Sequence, residues 1–306
     1  MNNQQISRID INGFKSIKHC SLELGMINVL IGSNGAGKSN FISAFKFLQE
    51  IIDKNLQLFV STSGGPNSML FNGAKYTDAM SVEFFFGLNS YGFKLVPTDD
   101  NRLTFAKEFF GYYLNGSYHG YLDSVGSGES AWDKGLHNGI DKYVSAIFKT
   151  KKWRVYHFHD TSKAAKVKQM HKVANNAELL FDAGNLAAFL LRLKENYAHS
   201  YENIRYAVKS IAPYFEDFYL VPNDNNEDIS LRWRQKGCDD IFNANQFSDG
   251  TLRFACIAPL LLQPKELQPE TIIIDEPELG LHPYAINILA EMVKSISDNK
   301  QIILST

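Results

Sequence analysis

The hydrophobic and polar positions change rhythm several times along the chain, and each rhythm predicts an element. Residues 7–11 (SRIDI) and 20–24 (CSLEL) alternate apolar and polar side chains, the pattern of half-buried strands. Residues 27–32 (INVLIG) read as an apolar run ending in glycine, which predicts a strand buried on both faces. Phe41, Ile42, Phe45, Leu48, Ile51 and Ile52 then recur at helical spacing, so the opening reads strand, glycine-rich loop, helix. Between 80 and 122 short aromatic runs such as SVEFFFGL and YGFKLVP are split by Asn, Gly and Ser, which predicts antiparallel hairpins whose rings form sheet core. Residues 124–130 read as a loop, 140–153 as a helix leading into the strand WRVYHF, and 184–213 as two helices divided at His199–Ser200. DFYLVP and ISLRWRQ flank the turn NDNNED as a plain hairpin. From 246 onward the pattern is helix to about 262, strand 271–275, helix 283–297 and strand 301–305.

Composition narrows the class. The 306 residues suit one large α/β domain or two lobes. A net charge of −2 excludes a polycation, so nucleic-acid binding needs a local basic patch. The three cysteines, Cys20, Cys238 and Cys256, are odd in number and widely spaced, which argues against a disulfide framework or a zinc site. They fit a reducing compartment, and the N-terminus lacks a basic-then-apolar signal pattern. The longest apolar run, near residues 257–262, is far short of a membrane span. A cytoplasmic protein without membrane contact is expected.

Two motifs carry chemistry. Residues 32–39, GSNGAGKS, match G-x-x-x-x-G-K-[ST] between a strand and a helix. The glycines let successive N–H groups of Gly32, Ser33, Asn34, Gly35, Ala36 and Gly37 curl around phosphate oxygens, and the helix start adds its positive end. Lys38 then serves the β- and γ-phosphates and the Ser39 hydroxyl a Mg2+ ion. Residues 271–283, TIIIDEPELGLHP, place two adjacent acids at the end of an apolar strand. There Asp275 can reach a Mg2+ shell and Glu276 can polarise an attacking water; an ordinary strand exit is the bland alternative.

A third stretch, QFSDGTLRFA (246–255), has two readings. Ser248 or Asp249 caps a helix beginning near Gly250, or the free N–H groups there are left for a phosphate.

In this order, phosphate loop, serine-glycine stretch and Asp-Glu strand resemble the motifs of ABC-type ATPases of the RecF and SMC branch. NGFKSI (12–17) and Asn40 directly after the GKS match that branch, and DEPELGLHP resembles RecF-like bacterial AAA-family ATPases, including OLD-type and other anti-phage proteins. The resemblance implies an α/β fold, namely an ABC-type P-loop ATPase head with an antiparallel β part and a helical middle region. It divides the chain into an ATP-binding lobe I (1–160), a helical and hairpin middle region (161–245) and a lobe II with signature and acidic strand (246–306). It implies ATP and Mg2+ as cofactors, with Lys15, Ser16 and residues 32–40 around the nucleotide, Ser39 and Asp275 at the metal, and Glu276 as general base. Ser248, Asp249 and Gly250 would contact ATP held by a second subunit, and residues 278–283 would meet their twin across that homodimer.

The chain departs from the pattern in places. A glutamine is usual where lobe I meets the helical part, but no Gln closely follows VYHFHDTS (155–162); His159 or Asp160 takes that place near Mg2+, or the histidine is structural. No switch histidine follows strand 301–305, so a longer protein is expected. Between 142 and 172 nine Lys/Arg face one acid, and Lys149, Lys151, Lys152 and Arg154 read either as a DNA-backbone contact or as a solvated face. The expected function is an ATP-hydrolysing head that dimerises around ATP and serves a DNA-related role. That role is either anti-phage defence with a nuclease partner or domain, or RecF-like repair. A scaffold or transporter ATPase subunit is the alternative of another class. Heptads are missing between the motifs, which disfavours a long-armed SMC form.

Overall fold

The computed structural model describes residues 5–113, 118–134, 144, 146, 148 and 153–306. The chain divides into two units, residues 1–154 and 155–306.

In the first unit, β1 (Arg8–Phe14) and β2 (Ile17–Glu23) form a hairpin in register from Arg8↔Glu23 to Phe14↔Ile17. β4 (Met80–Phe86), β5 (Asn89–Pro97), β6 (Leu103–Tyr112) and β7 (Tyr118–Tyr121) continue this sheet, all antiparallel, in the order β2-β1-β4-β5-β6-β7. The aromatic hairpins are thus strands. Phe84, Phe86, Phe93, Phe105 and Phe110 are buried as sheet core.

Helix α1 (Lys38–Ile52) covers that sheet with the apolar positions its spacing predicts, together with Ala44 and Phe47. Phe45 meets Phe84 edge-on at 5.6 Å, and Phe47 lies 5.5 Å from Phe14 and 5.9 Å from Phe93. Each such pair contributes about 0.5–1.5 kcal/mol beyond its burial. Short helices α2 (Leu56–Thr62) and α3 (Pro66–Met69) follow. The acidic residue Glu108 is buried in this core. The Glu108 carboxylate accepts hydrogen bonds from the Tyr91 and Ser130 hydroxyls and, at 3.0 Å, from the Ala131 N–H.

Strand β3 (Ile27–Leu30) corrects an expectation. Ile27, Val29 and Ile31 are exposed, Ile31 by 81%, so this run is not buried on both faces. Burial alternates along it, with Ile27 and Val29 exposed and Asn28 and Leu30 half-buried, the pattern of a strand covered on one face only.

In the second unit, β14 (Thr271–Asp275) and β15 (Gln301–Ser305) pair in parallel, from Thr271↔Gln301 to Asp275↔Ser305. β8 (Trp153–Tyr156), which crosses the unit boundary, neighbours β14 in this sheet. Helices α4 (Leu186–Asn196), α5 (Ala198–Ile211), α6 (Asp249–Leu262) and α7 (Pro283–Ser297) share one apolar core with β14 and β15. The break between α4 and α5 falls at Tyr197, two residues earlier than expected. The middle and C-terminal stretches are therefore packed around the same core, which runs from Tyr156 to Ile302.

The expected hairpin around 223–228 is more elaborate. β10 (Phe215–Phe218) does pair with β12 (Arg232–Gln235), and β12 with β13 (Ile241–Asn243). β11 (Asp228–Ile229) turns instead to β9 (His171–Lys172). Trp233 stacks on Phe242 at 4.8 Å and on Phe247 at 4.6 Å, which fixes the chain just before α6. No helix among the described residues is long and apolar enough to cross a membrane.

Candidate functional site

In the first unit, residues 31–37 form a loop that opens into α1. Gly37 is the helix N-cap with φ +98°, a left-handed conformation that favours glycine, and a Cβ there would lie 3.3 Å from the Ser16 hydroxyl. No side chain caps α1, and its first turn holds no acidic residue. Its N–H groups and positive end therefore face outward without a neutralising partner from this turn. Lys38 folds back, its ammonium donating to the carbonyls of Gly32 and, at 3.1 Å, Ser33. Residues 32–36 and Ser39 are exposed.

The β1–β2 turn is tied to this loop. The Asn40 amide donates to Ser16 Oγ at 2.7 Å. The structure thus brings Ser16, Gly37 and Asn40 together, with Lys15 on the same turn. Burial, and then the neighbouring Lys46 charge, lowers the Lys15 pKa below its ordinary value. An open cavity of about 680 Å³ adjoins them, lined by Lys15, Ser16, Asn40, Asn67 and Asn72 among others.

In the second unit, Asp275 ends β14 and is 8% exposed. Its Oδ1 has no hydrogen-bond partner among the described residues, nor has Ser305 Oγ beside it on β15. Two buried, unpartnered oxygens at the ends of adjacent parallel strands fit a divalent cation, which binds through hard oxygen donors. Glu276 follows with φ +45°, a left-handed conformation uncommon for a residue with a side chain, and its N–H donates to the Ser305 carbonyl at 2.7 Å. The acid is thereby turned out of the strand direction at the sheet's C-terminal rim, where parallel sheets place their chemistry.

The histidines near this rim divide the expected role. His159 Nε2 lies 2.7 Å from the Asp275 carbonyl and donates to it, so His159 braces the backbone. Asp160 is exposed, and its carboxylate accepts the Ser162 N–H at 3.0 Å; hydrogen bonding from Ser162, ahead of the other causes, lowers its pKa. His157 is the side chain brought to the carboxylate, with Nδ1 3.8 Å from Asp275 Oδ2.

The serine-glycine stretch takes the capping form within its own chain. Ser248 is the N-cap of α6, its hydroxyl accepting the Thr251 N–H at 3.2 Å, and Asp249 sits in the first turn. Gly250 lies against the loop after β14: a Cβ there would stand 2.3 Å from the Gly280 carbonyl oxygen. Arg253, one turn on, donates to the Leu279 carbonyl at 2.8 Å and the His159 carbonyl at 2.9 Å. Sequence reasoning passed over His157, Arg253 and Ser305; the available signal was their position at strand ends or one helical turn past the serine-glycine stretch.

Lys149, Lys151 and Lys152 lie outside the described residues. Further along the basic stretch, Lys166 pairs with Asp182 at 2.8 Å, and Lys172 with Glu227 and Asp228 at 3.2 Å each.

A family model described as "AAA domain, putative AbiEii toxin, Type IV TA system" matches residues 27–306. The Old nuclease of Escherichia phage P2 is 25% identical over 351 residues, an alignment covering 99% of this chain and 56% of that protein. The chain thus spans about half the length of that relative. Among solved structures, an SMC head bound to the C-winged helix domain of ScpA is similar with a TM-score of 0.59 at 16% identity, over 98% of this chain and 89% of that one. An Smc head with an extended coiled coil, bound to the C-terminal domain of ScpA derived from Pyrococcus furiosus, gives a TM-score of 0.55 at 14% identity, over the same shares. The likeness shows an ABC-type ATPase head fold.

Proposed function

The chain belongs to this AAA-domain family, and from that premise we propose that it binds and hydrolyses ATP as a head that dimerises around the nucleotide. The observation that carries the reading is the exposed loop ending at Gly37, with an uncapped helix start and Lys38 beside it. Residues 32–40 take the triphosphate. Lys38 exchanges its loop carbonyls for β- and γ-phosphate oxygens. The cavity beside Ser16 and Asn40 is of a size for the rest of the nucleotide.

Ser39 and Asp275 are the residues that would hold Mg2+, which when bound neutralises charge on the phosphates. Glu276 takes the proton of the attacking water. Its left-handed backbone is the kind of local strain that collects at working residues. Ser248, Asp249 and Gly250 complete the site of a second subunit. Leu279 and Tyr284 are exposed at and just after the loop 278–283, which supports that loop as a meeting surface.

The role of the dimer is DNA-related, and anti-phage defence with a nuclease partner or domain is favoured by the likeness to the Old nuclease. A scaffold that does not hydrolyse ATP fits less well, because Asp275 and Glu276 are both present. The test is direct. Lys38→Ala should lose binding of a fluorescent ATP analogue. Glu276→Gln should keep binding, lower turnover by a factor of about 10² or more, and hold an ATP-bound dimer by light scattering. Wild-type turnover in the Glu276→Gln variant would show that another group is the base.

A further inference from the structure

Three neighbouring strands end at one rim of the second unit. Asp275 and Ser305 are the last residues of β14 and β15 and are register partners, so their side chains share a face. His157 directly follows β8, the neighbour of β14 on its other side. Its Nδ1 lies 3.8 Å from Asp275 Oδ2, too far for a hydrogen bond. Two donors that each bind one octahedral ion at about 2.1 Å lie about 3 to 4.2 Å apart, so this spacing is open to a shared ion. The carboxylate is 10% exposed and the imidazole 35%, which leaves a path from solvent to the imidazole side. Asp275 Oδ1 and Ser305 Oγ are the buried atoms that still need a partner.

We infer that His157 is a direct metal ligand at this rim, joining Asp275 and Ser305 in a mixed nitrogen-oxygen site that takes a first-row divalent cation in preference to Mg2+. The inference rests on the reading of Asp275 as the metal acid. Its chemistry differs from that reading in one respect. Mg2+ keeps oxygen donors and its own waters, whereas imidazole nitrogen favours the transition ions. Mn2+ is the probe of choice because it accepts the oxygen donors of a Mg2+ site and also nitrogen. His159 cannot take this role with the same atom, since its Nε2–H is held by the Asp275 carbonyl. That bond instead fixes the backbone from which the carboxylate projects, as supporting partners of metal ligands do.

The experiment uses the full chain without nucleotide, titrated with Mn2+ alone and followed by electron paramagnetic resonance. Pulsed spectra of bound Mn2+ should show modulation from a coordinated 14N. His157→Asn and His157→Ala should each lose this signal and weaken Mn2+ binding by about tenfold or more. Mg2+ affinity, read by competition, should change much less than that. Bound Mn2+ without a nitrogen signal overturns the proposal in the wild-type protein itself, so misfolding of a variant cannot hide the answer. So does a failure to take up Mn2+ at millimolar concentration. A parallel titration of His157→Ala with a fluorescent ATP analogue in Mg2+ tests the nucleotide reading separately, because that variant leaves residues 32–40 untouched.

Discussion

Gly250 and Gly280 meet backbone to backbone: a Cβ on Gly250 would lie 2.3 Å from the Gly280 carbonyl oxygen. The neighbour is main chain and cannot swing aside. This gives the glycine of QFSDGT a structural role inside its own subunit, before any contact with a second one. Gly250→Ala should therefore destabilise the nucleotide-free protein by about 1–3 kcal/mol, as overpacking does. Urea unfolding without ATP measures it. An unchanged midpoint, with only dimerisation impaired, would assign the glycine to the partner's nucleotide alone.

Arg253 fastens the same junction. Its guanidinium reaches two carbonyls on different loops, those of Leu279 and His159. A planar fork with five fixed donors spans both; the compact lysine ammonium, at the end of a flexible stem, does not reproduce that fixed geometry. Arg253→Ala should cost about 1.5–3 kcal/mol, the scale of hydrogen bonds to a charged group. Arg253→Lys should recover less than half of it in the same unfolding assay. Because those loops follow Asp275 and carry His159, turnover should fall in both variants while affinity for the ATP analogue holds. A fall in affinity with unchanged turnover would place Arg253 elsewhere in the cycle.

Local pattern made some of this architecture legible and left other parts hidden. The strand 271–275, the helix 283–297 and the strand 301–305 appear at the expected residues, because period and flanking polar residues agree there. Residues 27–31 show the limit: a run that is apolar but for Asn28 says what the side chains prefer, not how many of them find cover. The exposed loop before α1 was legible because its glycines and Lys38 act through local backbone. The acid rim was legible only in part. His157 and His159 are two apart, so strand periodicity puts them on one face. The strand ends at Tyr156, however, and the two rings cross at 78° with centres 6.0 Å apart. One goes to the Asp275 side chain and the other to its carbonyl, a choice made by packing.

Buried tyrosines set an alkaline limit on the fold. Burial first, and then the Glu108 charge, raises the Tyr91 pKa well above its ordinary value; burial and Asp217 do the same for Tyr201, whose hydroxyl donates to that carboxylate at 2.7 Å. The sign follows from which state ionises first. The unfolded chain releases these protons near pH 10, while the folded protein holds them, so rising pH favours unfolding. Stability should be level below about pH 9 and fall from about pH 10 upward. Tyr201→Phe should flatten that fall when unfolding midpoints are compared between about pH 8 and 11. An equally steep fall in Tyr201→Phe and Tyr91→Phe would place the alkaline limit on other groups.

The thiols should separate by depth. Cys256 lies inside α6, and burial, then the Asp182 charge, raises its pKa above the ordinary thiol range. Cys20, half-buried on β2, is raised by burial and then by Asp10. The thiolate is the reactive form, so a raised pKa slows alkylation at a given pH. Iodoacetamide at about pH 8 should modify Cys20 slowly and Cys256 only through unfolding, each followed by mass spectrometry of the labelled peptides. Asp10→Asn removes a charge that opposes the thiolate and should speed Cys20 labelling without altering Cys256. Since Cys256 is reached only when α6 leaves the core, its labelling rate should rise in Gly250→Ala and Arg253→Ala in proportion to the fall in their folding equilibrium constants. Rapid labelling of Cys256 in the wild-type protein under native conditions would mean that α6 opens locally, and would detach both of those variants from the stability argument made for them.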